Sequence, residues 1–166
     1  MSILATHKDY AANLDLWQKV DIVCDGQDAV KKAGKLFLPM PESFQAEERY
    51  KEYLSTAVFY GITGTTLSNY FGKAFNNLPS FKRPIELDYL LNNADVAGRS
   101  IYQASQKMLR LILKNYRCGV YVDYPTVPAS RNKAEEKQKN HKAVIHVINA
   151  KAILDWDYEL DGNRLR

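Results

Sequence analysis

Two cysteines, three histidines and no long apolar run set the first limits on what this 166-residue chain can be. Cys24 and Cys118 lie far apart in the sequence, so no disulfide framework is written into it, and the opening MSILATHKDY lacks the apolar stretch of a secretory signal. A reduced, intracellular protein is expected. The longest apolar runs are interrupted by lysine, arginine or glycine and fall short of the roughly 20 residues that cross a membrane, so no membrane partner is expected. Internal repeats and low-complexity tracts are lacking as well. Neither sign of charge dominates: 23 Lys plus Arg against 19 Asp plus Glu leave +4, which permits contact with a polyanion without arguing for it.

Recognisable chemistry is also missing. His7, His141 and His146 share no ligand spacing with the cysteines, and no glycine-flanked serine marks a nucleophile elbow. His146, on an expected strand, reads as a packed or half-exposed side chain. Asp157, Glu159, Asp161 and Gly162 imitate the opening of a calcium loop, but the closing bidentate glutamate would fall beyond Arg166, so they read as the wet face of a strand. Gly61 to Thr66, GITGTT, imitates a phosphate loop. It lacks the lysine and follows a helical pattern where a strand is required, so helix packing is the reading. No catalytic residue, cofactor or metal is assigned, and no enzyme activity is expected.

What is present is periodicity. Between Ser100 and Pro125, Ile101, Ala104, Ser105, Met108, Leu109, Ile112 and Tyr116 recur at helical spacing, with Gln103, Lys107, Arg110 and Lys114 on the remaining surface. Ser100 and Gln103 have the spacing of a capping box, and Gly119 is expected to break the helix after its cationic last turn. From Gly119 to Tyr124 the pattern alternates as a strand, and AVIHVI, Ala143 to Ile148, is its expected neighbour in a sheet.

Earlier in the chain, Asp9 to Val23 reads as a helix with Leu14, Leu16, Trp17, Val20 and Val23 inward, and QDAVKKAG as one or two further helical turns ending at Gly34. From Gln45 to Asn76 a continuous or bent helix is favoured, although two end-to-end helices fit the spacing equally well. Tyr50, Tyr53, Tyr60, Gly61, Gly64 and Tyr70 lie along this element and are candidates for close packing or a subunit interface, because glycine on a helical face permits close approach and tyrosine favours half-buried contacts. Ile85 to Leu91 suggests a short helix, and KAILDW a helical turn. The expected fold class is α+β: mainly helical over the first two thirds, then a small mixed or antiparallel sheet. It is read as a single region with a helical part, 1–98, and a helix-plus-strands part, 99–166.

TVPASRNKAEEKQKNHK is a solvated connection carrying Arg131, Lys133, Lys137, Lys139 and Lys142 against Glu135 and Glu136. These cations are candidates for contact with nucleic acid or another partner. Asp161-Gly162 signals a hairpin whose second arm holds only Asn163 to Arg166, so a front portion of a larger protein is expected.

Four stretches, taken in order, resemble the amino-terminal region of tailed-phage portal proteins, nearest the phage structural family called DUF4055. They are HKDYAANLDLWQKVDIVCDG, YKEYLSTAVFYGITGTTLSNYFGKAFNNLP, the helix running into GVYVDYP, and VIHVINAKAILDWDYEL. In that family a tyrosine-rich helix with a Phe-Tyr pair precedes a glycine-containing helix ending near phenylalanine and proline. A helix then leads into a strand ending Val-Asp-Tyr-Pro, and a later strand into an Ile-(Asn/Asp)-Trp turn. Phe59-Tyr60, Phe71 to Pro79, Val122 to Pro125 and Ile153 to Trp156 match these here. The resemblance implies a homo-oligomeric ring, typically a dodecamer, at the head-tail connector vertex of a virion or prophage product. Such a ring has terminase and connector proteins as partners and passes double-stranded DNA during packaging and ejection, in the virion or the bacterial host cytoplasm. Family members are longer, and Gly61 stands where asparagine is expected after the Phe-Tyr pair. The competing expectation is a small intracellular nucleic-acid-binding module using the 131–142 loop.

Overall fold

The computed structural model describes residues 5–43, 46–77, 79–124 and 142–157, and the backbone of 160–161 and 164–165. The architecture is α+β, mainly helical with a small two-stranded antiparallel sheet toward the C-terminal side. The chain forms two compact units, Met1–Lys73 with Leu154–Arg166, and Ala74–Ile153. Residues 98 and 99, between which the sequence pattern changes, both lie in the second.

The first unit is built on α1, Lys8–Asp25, and α2, Gln27–Ala33. His7 caps α1 by accepting from the Asp9 amide through Nδ1 at 3.1 Å, and Gly26, at φ 91°, supplies the left-handed turn between the two helices. Trp17 and Val30 are each 1% exposed, and Tyr10 meets Trp17 edge-on at 6.0 Å. Leu16, expected inward, is 52% exposed, because it neighbours Trp17 in sequence and so lies about 100° round the helix from it.

Helix α3, Glu47–Thr56, is fastened to α2 and the loop after it mainly by polar contacts. Tyr50 Oη donates to Leu38 O at 2.7 Å, Lys31 Nζ donates to Ser55 O at 2.7 Å, and Lys35 pairs with Glu47 at 3.1 Å. The favoured continuous or bent helix over 45–76 does not form, and the alternative that the spacing allowed equally, two successive helices, does. Helix α3 stops at Thr56, Ala57 turns extended at ψ 136°, and α4 begins only at Ile62 and runs to Ala74. Three local causes combine. The Ser55 and Thr56 hydroxyls donate back to Glu52 O, Gln27 Oε1 accepts from the Phe59 amide at 3.2 Å, and Val58-Phe59-Tyr60-Gly61 is a run of weak helix formers.

Of the two glycines expected to pack closely, only Gly64 does. A Cβ there would lie 2.7 Å from Cys24 O on α1, whereas one on Gly61 would meet nothing within 4 Å. In the same unit, strand β3, Leu160–Asp161, pairs antiparallel with β4, Arg164–Leu165, on either side of the expected Asp161-Gly162 turn; Gly162 itself lies outside the described residues.

The second unit centres on α5, Ile101–Asn115, strand β1, Cys118–Asp123, and strand β2, Val144–Asn149. The capping box at Ser100 and Gln103 forms in both directions. The helix stops earlier than Gly119: Tyr116 adopts φ 49° and its amide donates to Ile112 O at 2.7 Å. Because β1 starts at Cys118, the reversal has to be made at Tyr116. Gly119 instead serves packing inside the strand, where a Cβ would meet the Ile153 side chain at 3.0 Å. On the expected inner face Ala104 is buried and Ile101, Ser105, Met108 and Leu109 are half-buried, but Ile112 and Tyr116 are 41% and 61% exposed. The side chain fully buried at the helix end is Asn115.

The strands pair antiparallel with Cys118 opposite Asn149 and Asp123 opposite Val144. Ile85–Leu91 is a 3-10 helix entered through Pro84, with Leu90 buried, and the helical turn expected in KAILDW is a 3-10 turn over Ala150–Ala152.

Gly64→Ala adds helix propensity of about 1 kcal/mol but drives a methyl into backbone, so a net loss of roughly 1–3 kcal/mol is expected in urea unfolding. Gly72→Ala on the same helix, with open space around the added carbon, is expected to be neutral or stabilising by up to about 1 kcal/mol.

Candidate functional site

The tyrosine and glycine set of the first unit does not form one face. Tyr50 is buried and Tyr53 half-buried, with ring centroids 6.1 Å apart, and Gly64 packs on Cys24. Tyr60 and Tyr70 are 81% and 64% exposed, and Val58 and Ile62 beside Tyr60 are exposed as well. The break at Ala57 separates Tyr50 and Tyr53 from Tyr60 and Tyr70, because it interrupts the helical phase that would have aligned them.

Of the basic set, Arg131, Lys133, Lys137 and Lys139 lie outside the described residues. Lys142 is described: it is exposed, and its Nζ sits 5.0 Å from the centre of the Tyr89 ring. Tyr89 Oη donates to Ala143 O at 2.8 Å, so this tyrosine meets the two residues ahead of β2, Lys142 at its ring and Ala143 at its hydroxyl. His146 is half-exposed on β2 opposite Tyr121, and His141 lies outside the described residues. Glu159 and Gly162 of the calcium-like run lie there too. Among the described residues no group of three or more His, Cys, Asp or Glu side chains is placed to hold a metal ion.

Strand β1 is the least covered element of the second unit. Val120, Val122 and Tyr124 on one side and Tyr121 on the other are all about half exposed or more. The sequence marks this strand as alternating and therefore half-buried, but both of its faces are open from Val120 onward.

The loop ahead of α5 carries polar geometry that periodicity does not reveal. Asp95 Oδ1 accepts from the amides of Ala97 and Arg99, Asp95 Oδ2 pairs with Arg99 at 2.8 Å, and Asn93 Oδ1 accepts from Gly98, across a backbone that turns left-handed at Val96 and Gly98. Burial acts to raise the Asp95 carboxyl, but the Arg99 and Ala97 amides and the Arg99 guanidinium outweigh it and hold its pKa below the ordinary carboxylate value. The NNADVAGRS composition marks a turn, but not that one carboxylate closes it. Sequence reasoning also missed Asn115, whose amide has no hydrogen-bond partner among the described residues. Helical phase places it on the apolar stripe, seven residues after Met108 and three after Ile112, but its polar amide kept it out of the expected inner set. Lys107, read as surface, donates to Val147 O at 3.0 Å.

No family model and no curated protein matches the chain. Among the described residues no helix is long and apolar enough to cross a membrane.

A carboxyl with a depressed folded pKa contributes stability above its unfolded pKa, near 4, and loses that contribution as pH falls through the folded value. Amide exchange at Ala97 and Arg99 is therefore expected to stay slow from neutral pH to about pH 4 and to accelerate relative to the β2 amides below it. Asp95→Ala is expected to show the acceleration already at neutral pH.

Proposed function

We propose that this chain is the amino-terminal part of a portal-type subunit, a component of a phage or prophage head-tail connector that works by fitting against copies of itself. The observation that carries the reading is the order of four motif stretches on successive structural elements. Tyr50 and Tyr53 lie on α3, and Phe59-Tyr60 falls in the break after it, ahead of the glycine-bearing α4. Helix α5 leads directly into β1 with its Val122-Asp123-Tyr124 end, and β2 leads into Ile153 to Trp156. The element order supports the resemblance in that a glycine-bearing helix, a helix running into a strand, and a strand running into a turn follow one another as in the portal pattern, whereas Phe59-Tyr60 lies after the tyrosine-bearing helix and not within it. Exposed apolar side chains on β1 and around Tyr60 add support, since a ring subunit keeps surface for a neighbour to cover.

In this reading the protein contributes no bond-making step. It holds neighbouring copies in register around a channel that passes double-stranded DNA, and it meets terminase and connector proteins, in the virion or in the bacterial cytoplasm during assembly. Expressed together with the coding sequence that follows it, the protein is expected to give a closed ring of identical subunits in native mass spectrometry and cryo-EM. A strictly monomeric product at micromolar concentration would overturn the reading.

A further inference from the structure

His7 makes three contacts that no helix cap requires together. Its amide donates to Leu154 O at 2.9 Å, its Nδ1 accepts from the Asp9 amide at 3.1 Å, and its ring stacks on Trp156 with centroids 4.0 Å apart and planes 24° from parallel. All of these residues belong to the first unit, which the chain re-enters at Leu154. The imidazole therefore joins the start of α1 to the returning segment, and it does so in one protonation state. An Nδ1 that accepts from a backbone amide has its lone pair free and carries no proton.

We propose that His7 and Trp156 form a proton-operated clasp, in which protonation of His7 exchanges the cap on the Asp9 amide for the Asp9 carboxylate while the ring stays on the indole. The exchange is short. Asp9 Oδ2 already lies 3.7 Å from Nδ1, so an Nδ1–H has an acceptor next to the amide it abandons. The indole face receives an imidazolium at least as well as a neutral ring, because the cation meets the negative face of the π system. The charged groups next in sequence to the stacked pair are Lys8 and Asp9 at the start of α1, and Asp155 and Asp157 flanking Trp156; Asp155 Oδ1 accepts from the Trp156 amide at 3.0 Å. Of these groups Asp9 is the carboxylate that stands beside the imidazole, and it receives the proton's charge. The His7 side chain is 22% exposed, so water reaches it without the segment coming away. The consequence is an Asp9 amide that is held at neutral pH and released in mild acid, while the Tyr10 and Ala11 amides stay on His7 O and the returning segment stays in place.

The test is a titration of the whole protein from pH 8 to pH 5, the window of about pH 5–8 in which imidazole changes charge, followed by amide and indole NMR. The Asp9 amide proton is expected to shift upfield as its acceptor is lost, and the Trp156 indole resonance to move with it, both at the midpoint of the His7 ring protons. His7→Asn keeps a side-chain acceptor at the cap and cannot titrate there, so both resonances are expected to stay flat. An Asp9 amide that does not move in the wild-type protein overturns the proposal, as does the same movement in the asparagine variant.

Discussion

The antiparallel ladder between Cys118–Asp123 and Val144–Asn149 is the constraint on which the second unit depends, because the outer edge of β2 is where its other parts attach. In an antiparallel ladder alternate residues direct their backbone groups away from the partner strand. The groups used here all belong to one alternate set. Ala143 O accepts from the Tyr89 hydroxyl, the Ile145 amide donates to Ala94 O, and Val147 O accepts from Lys107 Nζ. The 3-10 helix over Ile85–Leu91, the loop ahead of α5 and α5 itself are thus each fixed to the same strand edge by one bond. Three outward backbone groups at that edge are thereby taken.

Strand β1 is treated in the opposite way. From Val120 to Tyr124 its side chains are about half exposed or more on both faces. Buried apolar side chains are few among the described residues, and three of the eight, Ala94, Ala104 and Ala150, are alanines. Small buried residues bring backbones close but remove little apolar area from water, so polar bonds to backbone groups carry much of the definition of this unit. The first unit follows the same pattern around a firmer centre: Trp17 and Val30 supply apolar burial, while Tyr50, Lys31 and Gln27 place their neighbours by bonding main-chain atoms.

This division accounts for what the sequence made legible. The α+β class, α1, α2, the capping box of α5 and the pairing of β1 with β2 follow from periodicity and capping chemistry, which are local and one-dimensional. The elements it misjudged are those settled by a partner distant in sequence. The helix expected to run through Ala57 ends because Gln27, some thirty residues earlier, takes the Phe59 amide as the Ser55 and Thr56 hydroxyls turn back on Glu52. Gly119 was expected to stop α5, but Tyr116 takes the left-handed turn so that Gly119 can sit against Ile153. Of the candidate site, the residue types were legible but their grouping was not. Tyr50 and Tyr60 belong to one periodic pattern and to opposite environments, and no spacing rule joins His7 to Trp156.

The balance between closed and open surfaces bears on assembly. Covering Val120, Val122 and Tyr124, the three side chains on one side of β1, would remove on the order of 300 Å² of apolar surface from water, a gross gain of about 7 kcal/mol at ~25 cal/mol/Å². Association costs roughly 4–15 kcal/mol before any such gain is counted. A single contact through this strand therefore barely holds a pair of copies together. A closed ring changes the arithmetic, because each subunit then makes two heterologous contacts and the last one joins parts already held. The exposed set around Tyr60 and Tyr70 supplies further apolar area in the first unit. In the proposed ring, surfaces too small to hold a pair by themselves would each be covered by a successive neighbour, and this is how the exposed side chains of β1 and those around Tyr60 fit the portal-type proposal.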